Sequence, residues 1–309
     1  MSENQYTLFE PIENEFLVPY NGNFALNVSS TQPSQAISRS VCKPLLKATL
    51  RNLSEYQRIL YAQKRHALLL VFQGMDAAGK DSTIHAISGS LSPTGCQVFS
   101  FKRPTSQEQA HDFLWRTSKC LPERGMIGIF NRSYYEEVII VRVHPQHLER
   151  QGVPYPGAPQ LWEHRFESIR DHERHLARNG TIILKFWLNV SREEQLARFE
   201  ARIRDERKHW KISSSDLQER GYWDQYMQAY EEALRATSRP WAPWYAIPAD
   251  TKYFTHLAIA EIITATLNQL KLRYPVLGPK RQQEKLNELY NLLRDEQCAY
   301  EHVSPLTIN

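Results

Sequence analysis

The stretch Leu68–Lys80, LLLVFQGMDAAGK, decides the fold of this chain. Its apolar first half has the composition of a buried β-strand, and the second half is a glycine-rich loop that ends in a lysine. The spacing G-x4-G-K is that of a phosphate-binding loop (P-loop), in which backbone N–H groups, the N-terminus of the next helix and the ammonium surround an oxyanion. The predicted phosphate-binding residues of this loop are Gly74, Ala77, Ala78, Gly79, Lys80, Asp81 and Ser82.

Two acidic residues distinguish this loop from an ordinary nucleotide-binding loop. The position after Lys80 usually carries Ser or Thr, whose hydroxyl binds Mg²⁺, but here it is Asp81. A second carboxylate, Asp76, lies inside the loop. Because acids beside bound phosphate need a metal ion or a basic partner, Asp76 is predicted as a metal ligand and catalytic residue.

Strand-like and helix-like segments alternate along the chain, which predicts a parallel sheet covered by helices on both faces. The P-loop follows the first strand, so the site is expected at the carboxyl ends of the strands. The predicted strands are Leu68–Gln73, Val98–Lys102, Met126–Phe130, Thr181–Val190 and Trp244–Ile247. The predicted helices are Pro44–Arg65, Asp81–Gly89, Ser106–Cys120, Gln160–Asn179, Ser191–Asp205 and Tyr253–Tyr274.

The third predicted strand ends in the segment FNRSYYEE, residues 130–137. Arg132 at the strand end is predicted to clamp phosphoryl oxygens and to stabilise charge during transfer. Glu137 is predicted to hold Mg²⁺ or to accept a proton; the alternative is a solvated first helical turn, where the helix dipole favours Glu. Arg132 and Glu137 are therefore predicted as catalytic, together with Lys80.

The segment Arg198–Lys211 carries six basic residues against three acidic ones. Such a charge run is usually a solvated helix face. Its position after the fourth strand, however, is where P-loop nucleotide kinases carry a mobile lid. Basic lid residues neutralise developing charge and exclude water. The lid is predicted at about 198–220, and its predicted phosphate-binding residues are Arg202, Lys208 and Lys211.

Composition fits a globular enzyme of 309 residues with a net charge of +4, which suits small anionic substrates and gives no reason to expect nucleic-acid binding.

Acceptor-nucleotide contacts are predicted at Lys102, Arg103 and Arg116, at and beyond the end of the second strand. The four cysteines are far apart and form no zinc pattern, which favours free thiols in a reducing cytoplasm. The first residues lack signal-peptide character, and the apolar runs are far shorter than the roughly 18 residues of a membrane span.

Five motifs occur together in an order that resembles one known family. They are QGMDAAGKD (73–81), FNRSYYEE (130–137), VRVHP (141–145), RKHWKISSSD (207–216) and EEALRATS (231–238). Together they resemble the polyphosphate kinase type 2 family over about residues 45–275. Asn131 before the arginine, and the Tyr-Glu-Glu continuation, are most similar to the third class of that family.

The resemblance implies a thymidylate-kinase-like P-loop fold with three layers, a parallel five-stranded sheet and a helical lid. It implies phosphoryl transfer from inorganic polyphosphate to nucleoside mono- and diphosphates, with Mg²⁺, or alternatively Mn²⁺, as cofactor. The same resemblance implies that Asp76 corresponds to the Mg²⁺-binding acid of the family. It also places Glu137 where a carboxylate that supports metal binding and catalysis is expected. Homo-oligomers, dimers or tetramers, are usual for this fold.

Two other functions stay open at this stage. The first is a nucleoside monophosphate kinase that uses ATP, which shares the loop, lid and fold. The second is a non-catalytic polyphosphate-binding module. For organisation, residues 1–40 are predicted as an irregular N-terminal arm, 41–275 as the phosphotransferase domain and 276–309 as a helical extension. On that extension Leu286, Leu289, Tyr290 and Leu293 form an apolar stripe, either for docking or for packing on its own domain.

Overall fold

The structure, a computed structural model, describes residues 8–211, 214–276 and 278–301. The chain divides into two units between Arg273 and Tyr274. The first unit is an α/β domain whose core is one parallel sheet. None of the described helices combines the length and the hydropathy that a bilayer crossing needs.

All five strands of the sheet run parallel, in the order β2-β3-β1-β4-β5. The strands are β1 (Ala67–Gln73), β2 (Cys96–Ser100), β3 (Ile127–Asn131), β4 (Thr181–Asn189) and β5 (Trp244–Pro248). The central strand β1 is buried along its whole length, which is why its sequence is almost continuously apolar. The predicted five-stranded parallel sheet is confirmed, although β2 begins and ends two residues before the predicted strand.

Two groups of helices pack against the sheet. The first group is α1 (Arg39–Gln63), α2 (Lys80–Ser88) and α11 (Lys252–Gln269). The second group is α5 (Glu136–Val143), α7 (Leu161–Arg178) and α10 (Trp223–Thr237). The remaining helices are short or peripheral: α3 (Ser106–Gln109), α4 (Trp115–Ser118), α6 (Gln146–Arg150), α8 (Arg192–Arg204) and α9 (Ser214–Glu219). Helices α8 and α9, with the 3-10 turn Glu206–Lys211 between them, occupy the predicted lid region.

Three helix predictions were wrong in extent, and the first is α1, which begins at Arg39 rather than near Pro44. The predicted helix Ser106–Cys120 is broken into α3 and α4, because the Asp112 carboxylate accepts a hydrogen bond from the backbone N–H of Leu114 at 3.0 Å. Such a local side-chain bond competes with helix continuation. The last helix of the domain ends at Gln269 rather than near Tyr274, where Lys271 takes a left-handed backbone conformation (φ 48°).

The segment 8–38 is irregular apart from one 3-10 turn at Leu26–Val28, and it packs on the β5 edge of the sheet. The backbone N–H of Val18 donates to the Trp244 carbonyl at 2.9 Å, and Ala246 donates to the Phe16 carbonyl at 2.8 Å. Phe9, Val18 and Phe24 are buried in the hydrophobic core. This segment therefore contributes to the core of the domain.

The second unit contains α12 (Pro279–Glu301). Its residues Leu286, Leu289, Tyr290 and Leu293, predicted as one stripe, all lie on this helix and are exposed. The role predicted for the extension remains a prediction.

Candidate active site

The P-loop connects β1 to α2, and three of its residues, Gly74, Ala77 and Gly79, have positive φ. Ala77 (φ 61°) and Gly79 (φ 108°) both adopt the left-handed region, which costs a non-glycine residue free energy and is typical of functional turns. The Lys80 ammonium folds back onto the loop and donates to the Gly74 carbonyl at 2.6 Å and to the Met75 carbonyl at 3.1 Å. These hydrogen bonds hold the ammonium at the loop where it is predicted to bind phosphate.

Burial is the main influence on the Lys80 ammonium. Desolvation, followed by the charge of Arg132, lowers the pKa of Lys80 to about 8, against the opposing effects of Asp76, Glu136 and Asp81. The ammonium is therefore charged at neutral pH but loses its proton more readily than an exposed lysine. A bound phosphate would favour the charged form.

Arg132 stands at the carboxyl end of β3, next to the P-loop. Its backbone has φ 64°, which turns the chain sharply as the strand ends. The guanidinium binds the Asp76 carboxylate at 2.5 Å and the Glu136 carboxylate at 3.0 Å. These charges, Glu136 first, raise the pKa of Arg132 further above its ordinary value. Arg132 and Asp76, two of the predicted catalytic residues, are therefore in direct contact.

Arg198 on α8 holds the P-loop in place through hydrogen bonds to its backbone. Its buried guanidinium donates to the Ala77 carbonyl at 3.0 Å and to the Ala78 carbonyl at 2.8 Å. It also donates to the Ala249 carbonyl at 2.5 Å, just after β5. The side chain thus joins the loop to the neighbouring strand end, and it acts in positioning rather than as a free lid charge.

A cleft of about 580 Å³ opens above the P-loop. It collects most of the predicted phosphate-binding residues, including Asp76, Ala77, Gly79, Lys80, Asp81, Ser82, Arg132, Arg202 and Lys208. Arg202 faces Asp216 at 3.9 Å, and Lys208 is paired with Asp205 at 2.7 Å. The side chain of Lys211 lies outside the described residues. Gly74 and Ala78, also predicted to bind phosphate, do not line this cleft, whereas Lys102 reaches it from beyond the end of β2.

A second cleft, of about 430 Å³, lies beside the first and is lined by Arg116, Glu137, Gln151 and Arg165. Arg116 forms the wall between the two clefts: its guanidinium donates to the Lys102 carbonyl at 2.8 Å and faces the Glu137 carboxylate at 3.7 Å. Of the three predicted nucleotide contacts, Lys102 lines the first cleft and Arg116 the second. Arg103 is exposed and lines neither of these two clefts.

Glu137 lies in the second cleft rather than in the P-loop cleft. Its carboxylate is buried and accepts hydrogen bonds from Gln151 at 2.6 Å and from Arg165 at 3.4 Å. Burial raises the pKa of Glu137, while the Gln151 hydrogen bond and the charges of Arg165 and Arg116 oppose the rise. This position has a helical cause: consecutive residues of α5 point about 100° apart, so Glu136 turns to Arg132 while Glu137 turns to the second cleft.

The described side chains suit a phosphate-bound Mg²⁺ better than a closed protein cage. Among residues 8–211, 214–276 and 278–301, no cluster of three or more His, Cys, Asp or Glu could hold a metal ion. Mg²⁺ in phosphoryl-transfer sites needs only one or two carboxylates, with water and substrate phosphates completing the shell. Asp76 offers one carboxylate at the cleft, with 31% of its side chain exposed. Asp81 is held by the Asn131 amide at 2.9 Å.

Comparison with known proteins agrees with this geometry. The family description "Polyphosphate kinase 2 (PPK2)" matches residues 37–275, more than three quarters of the chain. The chain belongs to the polyphosphate kinase 2 family. It is similar to the crystal structure of Polyphosphate Kinase 2 from Arthrobacter aurescens TC1, with 36% identity, a TM-score of 0.79, and coverage of 91% of this chain and 99% of that one. The predicted P-loop kinase fold is therefore confirmed.

Two curated relatives of the polyphosphate kinase 2 family cover most of this chain. One, from Rhodopseudomonas palustris, is named ADP-polyphosphate phosphotransferase; it is 51% identical over 252 residues, 81% of this chain and 87% of the relative. Another, from Meiothermus ruber, is named AMP/ADP-polyphosphate phosphotransferase; it is 42% identical over 236 residues, 76% of this chain and 84% of the relative.

Sequence reasoning missed several residues of this polyphosphate kinase 2 site. Arg198, Arg165 and Gln151 were not singled out individually, although each is buried or half-buried and makes side-chain hydrogen bonds at the site. Apart from Glu194, which pairs with Arg198, their side-chain partners lie 14 or more residues away in sequence, so no local pattern marks them. Glu136 was noted only as the neighbour of Glu137. Lys252, which lines the P-loop cleft, was also missed.

Proposed function

We propose that this chain transfers a phosphoryl group from inorganic polyphosphate to nucleoside mono- and diphosphates, from AMP to ADP and from ADP to ATP. The observation that carries the proposal is a pair of clefts connected by one contact, between Arg116 of the second cleft and Lys102 of the first. The cleft above the P-loop is rich in cations and suits the polyphosphate donor. The second cleft has the size and mixed lining expected for a nucleoside. The names of the relatives from Rhodopseudomonas palustris and Meiothermus ruber support polyphosphate as the donor and AMP or ADP as the acceptor.

In the proposed reaction an oxygen of the acceptor's terminal phosphate attacks the terminal phosphorus of polyphosphate. A new P–O bond forms, one P–O–P bridge breaks, and the polymer, shortened by one unit, leaves with the bond's electron pair. Lys80 holds the phosphate being transferred, and Arg132 stabilises the charge that spreads over its oxygens. Because a phosphate nucleophile is already ionised near neutral pH, no strong general base is needed.

We assign Mg²⁺, with Mn²⁺ as the alternative, to Asp76. A divalent cation at this carboxylate would supply charge neutralisation between phosphates. Arg132, which contacts Asp76 at 2.5 Å, fixes the carboxylate beside the P-loop. Glu137 is assigned instead to the second cleft, which we call the acceptor cleft because we propose that the acceptor nucleotide binds there. In that cleft Glu137 orients Arg116 and Arg165 and binds no metal. Arg202, Lys208 and Lys211 are proposed as lid contacts to phosphate.

The rival function is an ATP-dependent nucleoside monophosphate kinase. A hydroxyl after the P-loop lysine usually binds the metal between the β- and γ-phosphates of ATP. Here that position is Asp81, whose carboxylate is hydrogen-bonded to Asn131. A carboxylate there adds negative charge beside the phosphates, so the loop departs from the usual ATP pattern. This difference favours polyphosphate as the donor.

An assay without ATP tests the proposal. The protein is mixed with Mg²⁺, polyphosphate and one of AMP, ADP, GMP or GDP, and the nucleotide products are separated by chromatography. We expect ADP and ATP to form, and Lys80→Ala to abolish both. Lys47→Ala, which removes the same charge from an exposed position on α1, is the matched control.

Two outcomes would reject this function in favour of its rivals. Product that forms only when ATP replaces polyphosphate would identify an ATP-dependent kinase. Polyphosphate binding without turnover, unchanged in Asp76→Asn, would identify a binding module.

The remaining assignments extend the same proposal. We propose residues 41–275 as the catalytic part of the first unit, with a lid at about 198–220, an arm (1–40) whose residues Phe9, Val18 and Phe24 join the same core, and an extension (276–309). We also propose a homo-oligomer, dimer or tetramer, as is usual for this fold, and a cytoplasmic location, where nucleotide acceptors are abundant.

A further inference from the structure

Lys252 lies in the P-loop cleft although it belongs to a distant part of the chain. It is the first residue of α11, directly after the β5 edge of the sheet, and it lines the same cleft as Lys80. Its side chain is exposed to solvent. Within the described ranges, no carboxylate forms an ion pair with its ammonium and no hydrogen bond holds it. The proposed transfer mechanism leaves this cation without a role.

The charges that face Lys252 are mostly of the same sign. Partial burial lowers the pKa of Lys252, and the charges of Arg198, Lys208 and Arg202 lower it further, with only Glu194 opposing. Glu194 is itself bonded to Arg198 at 2.8 Å. Arg198, Arg202 and Lys208 are paired with the carboxylates of Glu194, Asp216 and Asp205, whereas Lys252 has no such partner among the described residues. A chain of phosphates, with about one negative charge per unit, would supply its counter-charge.

The position of Lys252 relative to the P-loop is fixed by Arg198. The same guanidinium that binds the P-loop carbonyls also donates to the Ala249 carbonyl at 2.5 Å and to the Asp250 carbonyl at 3.2 Å. Asp250 lies two residues before Lys252. The start of α11 is therefore tied to the P-loop through one buried side chain, so Lys252 stands at a defined place along the cleft.

The strand order separates the two ends of the cleft. Lys102 follows β2 at one edge of the sheet, Lys80 follows the central strand β1, and Lys252 follows β5 at the opposite edge. The acceptor cleft adjoins the β2 side, because Arg116 contacts Lys102 there. In an in-line displacement the leaving group departs on the side opposite the nucleophile. The polymer that leaves must therefore extend towards β5.

We propose that polyphosphate runs from the P-loop towards the β5 edge, where Lys252 binds phosphates behind the one being transferred. Lys252 is then a specificity-determining residue for donor chain length. Arg202 and Lys208 face the same end of the cleft from the lid side. This inference rests on the proposed polyphosphate kinase function and adds the direction and length of the donor site.

The test compares Lys252→Ala with wild type on linear donors of increasing length, from tripolyphosphate to long-chain polyphosphate, with saturating ADP and Mg²⁺. Losing one charge-assisted contact should raise the KM for long-chain donor about tenfold. The change for tripolyphosphate should be smaller, about twofold, so the preference for long chains shrinks. Lys252→Arg should restore most of that preference. Lys47→Ala, with its charge removed far from the cleft, should change neither donor.

A second readout separates contact from structural damage. Binding of long-chain polyphosphate without acceptor should weaken in Lys252→Ala by the same factor as the KM, while the thermal unfolding midpoint stays near that of wild type. An equal loss for every donor length, or a rise in the KM for ADP with donor KM unchanged, would overturn the proposal. Wild-type protein that uses no polyphosphate would instead refute the proposed function itself, and this inference with it.

Discussion

The most demanding structural prediction concerns a buried ion pair behind the active site. Lys185 on β4 and Glu173 on α7 are both fully buried, with Nζ and Oε2 2.6 Å apart. Glu173 also accepts hydrogen bonds from the hydroxyls of Tyr134 at 2.9 Å and Tyr135 at 2.8 Å. These tyrosines lie between Arg132 and Glu136, so the pair fixes the segment that carries these two side chains.

Lys185→Met removes the cation and leaves the Glu173 carboxylate buried without a counter-charge. Breaking a buried pair in this way costs about 3–5 kcal/mol of the free energy of unfolding. For a domain of this size we expect the melting midpoint to fall by roughly 10 °C. The double variant Lys185→Met with Glu173→Leu should recover part of the loss. The recovery is incomplete because two tyrosine hydroxyls then lack an acceptor, at about 1–3 kcal/mol each.

Thermal and urea unfolding, followed by circular dichroism, measure these differences. The matched control is the exposed pair of Arg204 and Glu200, which are 3.2 Å apart with side chains 80% and 53% exposed. Arg204→Met should cost no more than about 0.5 kcal/mol. If Lys185→Met were no more destabilising than this control, Lys185 and Glu173 would not be a buried charged pair, and the reasoning would fail.

Three further predictions concern the P-loop. Burial and neighbouring charge lower the pKa of Lys80 to about 8, so polyphosphate affinity measured without acceptor should fall as the pH rises through that value, and Lys80→Arg should flatten the decline. Chelation of divalent metal should abolish turnover, with recovery on adding Mg²⁺ or Mn²⁺, and Asp76→Asn should need roughly tenfold more metal for half-maximal rate. Gly79→Ala introduces a Cβ 3.4 Å from Arg198 at φ 108° and should lower stability by about 1–3 kcal/mol, whereas Gly157→Ala, with open space around it, should change the melting midpoint little.

Much of the fold could be predicted from local patterns. The run LLLVFQ predicts β1 because a central parallel strand is buried on both faces. Helix α10 was missed even though Tyr226, Ala229, Tyr230 and Ala233 recur at helical spacing and are buried. The break between α3 and α4 could not be inferred from periodicity, because it depends on one Asp112 side chain bonding to the backbone.

The site was less predictable than the fold because charged residues in a sequence are expected in solvent. Arg165, Arg198 and Glu173 are nevertheless buried, each satisfied by partners that only the folded chain brings together. Adjacent residues also separate: Glu136 binds Arg132, whereas the neighbouring Glu137 lines the second cleft. Such assignments depend on helix phase relative to neighbouring elements, which no short motif specifies.

That separation explains how one short turn can reach both clefts. Between Asn131 and Glu137 the chain contributes Arg132 to the P-loop cleft and Glu137 to the second cleft. The two tyrosines between them bond to Glu173, which Lys185 neutralises from β4. A buried charged network is costly to form, but once formed it holds both side chains in one register. In the proposed reaction, in-line transfer requires that donor and acceptor keep a fixed separation, and this segment is the part of the fold that spans the two clefts.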